Sequence, residues 1–367
     1  MQRRNLLYAV TVALALIFMT GFNVTARQIE TVYTMSNATT GNAVLAFLRR
    51  LDGTLGLLGA FPTGGLGTGG SLGNQSGIVL DPNDRWLFVV NAGDGTISSF
   101  RVLELGLELV DTIASEGVSP ISLTVFGTLV YVLNEGNENT PDNISGFTFD
   151  ADGTLTPIPD STRPLSDDLT DPAQISFNQH GTVLVVAEKA TNMITTYRVD
   201  PSGVLSAPLS RPSARPTPFG FQFGDRDVMF MSEANSGGTG VVVAYGVDRD
   251  TGVVSNAIDI LETESATCWV VLSPDQTVGY ASNTESASIS LFQINFDGSI
   301  EPLPLSGRST PTGNGPLDLV LTQDGRNLYS LDSADQTISA FHVRPSGRIT
   351  ALGTVPIPPG ANGLAAR

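Results

Sequence analysis

The chain is poor in the residues that most enzymes use for chemistry. Among 367 residues there is one cysteine, Cys268, and only two histidines, His180 and His342. A single cysteine excludes an internal disulfide, so the fold must stand on its core alone. Two histidines with no thiolate or third imidazole nearby give no zinc ligand set. Positive charge is also scarce: 19 Lys and Arg face 36 Asp and Glu, a formal charge of −17. Such a surface repels phosphate backbones and anionic lipid heads, which argues against a nucleic-acid partner. Long amphipathic helical patterns are missing beyond residue 26, whereas Gly (39) and Pro (22) are abundant, as in a chain built of strands and tight turns.

The N-terminus differs from the rest. Arg3 and Arg4 precede an apolar run from Leu6 to Thr20, and Val24-Thr25-Ala26 offers a small-x-small cleavage site. This predicts a signal peptide over 1–26 and a mature domain over 27–367, secreted or periplasmic, with no membrane association after cleavage. The alternative is an uncleaved anchor, although the run falls short of the roughly 20 residues of a membrane span.

What is present is a repeat. Seven segments pair an aromatic residue with a glycine turn: Phe47, Phe100, Phe147, Tyr197, Tyr245, Phe292 and Phe341, followed by Gly53, Gly106, Gly153, Gly203, Gly252, Gly298 and Gly347. The glycines recur every 46 to 53 residues, a period that fits four short strands with their turns. The predicted fold is an all-β, seven-bladed β-propeller with four antiparallel strands per blade. The first copy, from Thr31, lacks an inner strand, and a spare one, "PGANGLAAR", follows the seventh. The C-terminal strand is therefore expected to complete blade 1 and close the ring.

Copies such as "PAQISFNQHGTVLVVAEKATNMITTYRVDPSGVL" and "GPLDLVLTQDGRNLYSLDSADQTISAFHVRPSGRI" resemble the lactonase-type seven-bladed propellers, which include 6-phosphogluconolactonases and carboxymuconate-cyclising enzymes. The resemblance spans Thr31 to Arg367 and implies hydrolysis of a small sugar lactone or other cyclic ester at the channel mouth. In that family a Pro-His pair opens one or more inner strands. The corresponding positions here, Pro120-Ile121, Pro172-Ala173, Pro218-Phe219 and Pro316-Leu317, carry no histidine.

The residues suggest other chemistry at the mouth. Glu135, Glu188 and Glu233 end second strands in three successive blades and read as one repeat position, filled elsewhere by Asn37, Ala92, Thr284 and Ser333. Converging carboxylates would act as a general base or hold a divalent cation such as calcium; otherwise each accepts hydrogen bonds from its own loop. No cofactor is required. Lys189, beside Glu188, and Arg163, Arg211, Arg215 and Arg308 in loops supply cations for an oxyanion or for rim salt bridges. Gln174, Trp269 and Asp318 fall near inner-strand starts, where they would contact substrate or pack in the core. Cys268 reads as a small buried residue, since no histidine is near to activate it. The stretch Gly64–Gly77 contains a G-x-G-x-x-G, but a strand follows it rather than a helix, so it reads as a loop over the mouth and not a dinucleotide site. Two functions compete: a monomeric lactonase-like hydrolase of a small-molecule lactone, or a non-catalytic propeller that binds a carbohydrate, a cell-wall component or a protein.

Overall fold

The computed structural model describes residues 30–303 and 309–367. The leader predicted over 1–26, and Arg308, lie outside the described residues. Among the described residues, thirty strands form seven antiparallel sheets in sequence order, each with an inner, second, third and outer strand. Blade 1 alone is assembled from both ends of the domain: its inner strand is Asn362–Ala366, paired with Thr31–Met35. The closure expected from the sequence is what the sheet order shows. No helix among the described residues is long and apolar enough to cross a membrane.

The second strands show why these residues build blades. Trp86–Asn91, Val183–Glu188, Val228–Glu233 and Asn327–Asp332 are buried at every position. A sheet covered on both faces cannot alternate apolar and polar side chains, so such strands read as near-continuous apolar runs. The repeat aromatics are at most 1% exposed, and each contributes about 2–3 kcal/mol of burial.

The repeat glycines do more than turn the chain. All seven have positive φ, between 74° and 128°, which disfavours any side chain. Five of their carbonyls also latch one blade to the preceding one. Ser99 Oγ donates to Gly153 O (2.7 Å), Thr196 Oγ1 to Gly252 O (2.7 Å), Tyr280 Oη to Gly347 O (2.8 Å) and Tyr329 Oη to Gly53 O (2.9 Å); Tyr131 Oη bonds Gly203 O likewise. Tyr329 reaches from blade 7 to blade 1, so the latch also fastens the closure.

Candidate functional site

The mouth lies where inner strands begin and second strands end. In most blades the inner strand enters with a bulge. Pro120 faces Asn134, but Ser122 faces Leu133; Pro172 faces Glu188, but Gln174 faces Ala187. Likewise Pro218 faces Glu233, and Pro316 faces Asp332. The residue after each of these second-strand ends donates its N–H to the residue before the inner strand: Glu135 to Ser119 O (3.0 Å), Lys189 to Asp171 O (3.1 Å), Ala234 to Thr217 O (2.8 Å) and Ser333 to Gly315 O (2.8 Å).

This pairing divides the three glutamates. Glu188 and Glu233 share one repeat position with Asn91, Asn134, Asn283 and Asp332, whereas Glu135 stands one residue further, in register with Lys189. The sequence alignment that set Glu135 beside Glu188 and Glu233 is therefore off by one, and a one-residue slip moves a side chain to the other face.

Glu188 and Glu233 are fully buried and bonded to their own inter-blade loops. Glu188 accepts from Ser166 N (3.2 Å), Thr191 Oγ1 (2.8 Å) and Ser166 Oγ. Glu233 accepts from Tyr245 Oη (2.6 Å), Ala214 N (3.4 Å) and the Arg215 N–H. Burial pushes the Glu233 carboxyl up to about 7 against the pull of these donors. Each thus already accepts three hydrogen bonds from nearby groups. No group of three or more His, Cys, Asp or Glu among the described residues is arranged to hold a metal.

Glu135 is only partly buried, and a single side-chain donor, Ser119 Oγ at 3.4 Å, reaches it. Burial raises its pKa; the positive charge of Lys189 opposes the rise, and Asp171 and Asp142 add to it. The Lys189 side chain is 10% exposed, with Nζ 3.0 Å from Asp171 Oδ1, 2.6 Å from Gly73 O and 4.9 Å from the Phe219 ring centre. Adjacent blades thus bring a weakly bonded carboxylate and a desolvated ammonium to equivalent positions on one rim.

The other predicted residues separate. Gln174 and Asp318 are clasps between neighbouring inner strands: Gln174 Oε1 accepts the Phe221 N–H (2.6 Å), and Asp318 Oδ2 accepts the Leu364 N–H (2.9 Å). Burial raises Asp318 to about 8. Trp269 is 1% exposed, and its ring centre lies 5.0 Å from that of Phe219. Arg215 is exposed; its Nη1 reaches only Ala214 O (3.1 Å). Burial lifts the Cys268 thiol to about 11, so it is no nucleophile at neutral pH. His180 lies at the opposite end of the blades, 3.5 Å from Asp227, and His342 points outward from a third strand. Sequence reasoning missed Asp171 and Phe219 as neighbours of Lys189, whereas the stretch Gly64–Gly77, expected as a loop over the mouth, does contact the inner strands through Asn74.

A closed ring of seven four-stranded blades with a polar rim is a seven-bladed β-propeller, and its blades resemble those of the lactonase type. The family model described as "Lactonase, 7-bladed beta-propeller" matches residues 127–271, from the turn before the second strand of blade 3 into the inner strand of blade 6. Among solved structures, a protein from Lactobacillus plantarum aligns with a TM-score of 0.75 at 17% identity, covering 93% of this chain and 99% of that one. A 6-phosphogluconolactonase candidate from Bacteroides fragilis gives 0.73 at 17% identity, with the same coverage. The periplasmic gluconolactonase of Pseudomonas aeruginosa gives 0.71 at 17% identity, covering 92% and 99%. No curated protein matches the chain by sequence. At these identities the likeness shows the fold.

Proposed function

We propose that this chain is an exported, monomeric lactonase-like propeller that hydrolyses a small sugar lactone or related cyclic ester at the mouth between blades 3 and 4. The observation that carries this reading is the pairing of Glu135 with Lys189 at equivalent positions of adjacent blades. Ionised Glu135 takes a proton from water as the water oxygen bonds to the lactone carbonyl carbon. The carbonyl electron pair moves onto oxygen, facing the Lys189 ammonium. Collapse breaks the ring C–O bond, and the proton on Glu135 passes to the departing ring oxygen, leaving a hydroxy acid. This reading requires no metal, and the overall fold shared with a periplasmic gluconolactonase supports the substrate class.

Hydrolysis of a panel of aldonolactones by the purified protein tests this, with and without chelator. Wild type is expected to exceed the spontaneous rate, indifferent to chelator, and Glu135→Gln to lose roughly 100-fold or more in kcat/KM. A wild type that leaves every spontaneous rate unchanged overturns the hydrolase reading. It would favour a binding propeller for a carbohydrate, a cell-wall component or a protein. The absence of histidine at the inner-strand starts and the commitment of Glu188 and Glu233 to loops support that second reading.

A further inference from the structure

Five inner strands are approached alike. Ser119, Asp171, Thr217, Ala266 and Gly315 stand immediately before them, each left-handed with φ between 47° and 67°. This residue turns the chain from the rim into the sheet. Blade 2 departs from the pattern. There Ile78 faces Val89 as Leu123 faces Val132, which makes Gln75 the counterpart of Pro120. The left-handed non-glycine residue is Ser76 (φ 64°), and the chain ahead of it runs across the mouth.

The contacts of that chain extend around the ring. The Asn74 side chain donates to Ile121 O of blade 3. In blade 4, Ala173 O accepts the Gln75 N–H (3.0 Å), and Lys189 Nζ donates to Gly73 O (2.6 Å). From blade 6, Trp269 Nε1 donates to Asn74 O (3.1 Å), while Gln75 Nε2 donates to Val270 O (3.4 Å). In blade 5, a Cβ on Gly220 would fall 2.0 Å from Gln75 Oε1, so only glycine leaves room. Leu72, Asn74 and Gln75 are 7%, 2% and 8% exposed.

We propose that Ser71–Ser76 is a retractable plug, by which the protein seals its own channel mouth, and that a ligand entering the channel must displace it. Two features favour displacement. Asn74 Oδ1 and Gln75 Oε1 are buried without a hydrogen-bond partner, so part of the plug's desolvation is not offset. Ser76 also holds a backbone conformation that side chains disfavour. A hinge is at hand as well. Asn37 fastens Thr68 N (2.9 Å) and Gly70 O (2.6 Å) to blade 1, whereas a Cβ on Gly70 would meet nothing within 4 Å. Withdrawal about Gly70–Gly73 would release the Trp269 indole N–H, the Gln174 Nε2 and one donor position of Lys189, which would stay paired with Asp171.

Hydrogen–deuterium exchange on the intact protein tests the motion without any substitution. Peptides within 69–77 are expected to exchange roughly 100-fold faster than strands 172–177 and 267–272. Protection equal to those strands overturns the proposal, because the segment is then permanent core. The seal is read in a Trp86→Phe background, where Trp269 is the sole tryptophan. Adding Asn74→Gly and Gln75→Gly is expected to raise its acrylamide quenching constant roughly twofold. Unchanged quenching shows that these side chains seal nothing and also overturns it. Neither readout depends on lactone hydrolysis, so the plug and the hydrolase reading stand or fall separately.

Discussion

Glu233 ends the second strand of blade 5 and Glu135 follows that of blade 3, in stretches of similar sequence, yet their surroundings differ. Glu233 is enclosed by three donors from a tyrosine and two loop amides, and it fixes the path of residues 214–215. Glu135, one residue beyond the equivalent position, meets one distant hydroxyl and a lysine's field. A carboxylate with three donors holds its loop in place, whereas one with a single distant donor keeps its lone pairs open, as the proposed base requires. Lys189 stands at Glu135's position, next to Glu188, but unlike Glu135 it is held by Asp171 and Gly73 O.

The comparison breaks first on stability. Glu233→Ala and Glu188→Ala each strand buried donors, and each is expected to cost about 2–4 kcal/mol in urea unfolding, whereas Glu135→Ala should fall within about 0.5 kcal/mol of wild type. A comparable loss for Glu135→Ala would show that all three glutamates are structural. The next largest effect is on pH dependence. Burial raises Glu233 to about 7, Asp318 to about 8 and Asp332 to about 6. Each carboxyl binds its proton more tightly folded than unfolded. Their contribution is therefore complete below about pH 4, where the unfolded groups are also protonated, and is lost as pH rises through 6 to 8. Thermal unfolding should show a Tm several degrees higher at pH 5 than at pH 8; a flat or opposite trend would show that these groups are ionised throughout.

The ring was legible in the sequence and the mouth was not, for a physical reason. Blade architecture is local: an aromatic six residues before a glycine, or seven as with Tyr245 and Gly252, sits within one hairpin. Even closure was readable, because the spare strand at Asn362–Ala366 had only one vacancy to fill. The position of Glu135 depends instead on which residue of the second strand faces Pro120, set by backbone pairing and an inner-strand bulge that leave no mark on side-chain type. "NEG" and "AEK" align by their glutamates on paper and by Asn134 with Glu188 in the sheet. The plug is harder still, since Trp269 and Asn74 are 195 residues apart in the chain. The roles assigned to Gln174 and Asp318 changed because position near the mouth does not reveal that a neighbouring strand's N–H already occupies the side chain.

A smaller effect sharpens the Glu135 side of the comparison. The Lys189 charge holds the Glu135 pKa below where burial alone would take it. Lys189→Met should therefore move the acidic limb of the kcat/KM profile upward. A limb that does not move would mean that the base is another group.

The smallest expected change concerns Arg215, which the sequence offered as a catalytic cation. Its guanidinium is exposed and bonded only to the adjacent carbonyl, while its main-chain N–H is what serves Glu233. Arg215→Ala keeps that N–H and should shift stability by less than about 0.5 kcal/mol, with kcat/KM unchanged. Arg215→Pro deletes the N–H and leaves a lone pair of a buried carboxylate unserved, so it should cost about 1–2 kcal/mol. If the two substitutions prove equally damaging, the loop is held by the side chain, and the anchoring role given to Glu233 fails with it.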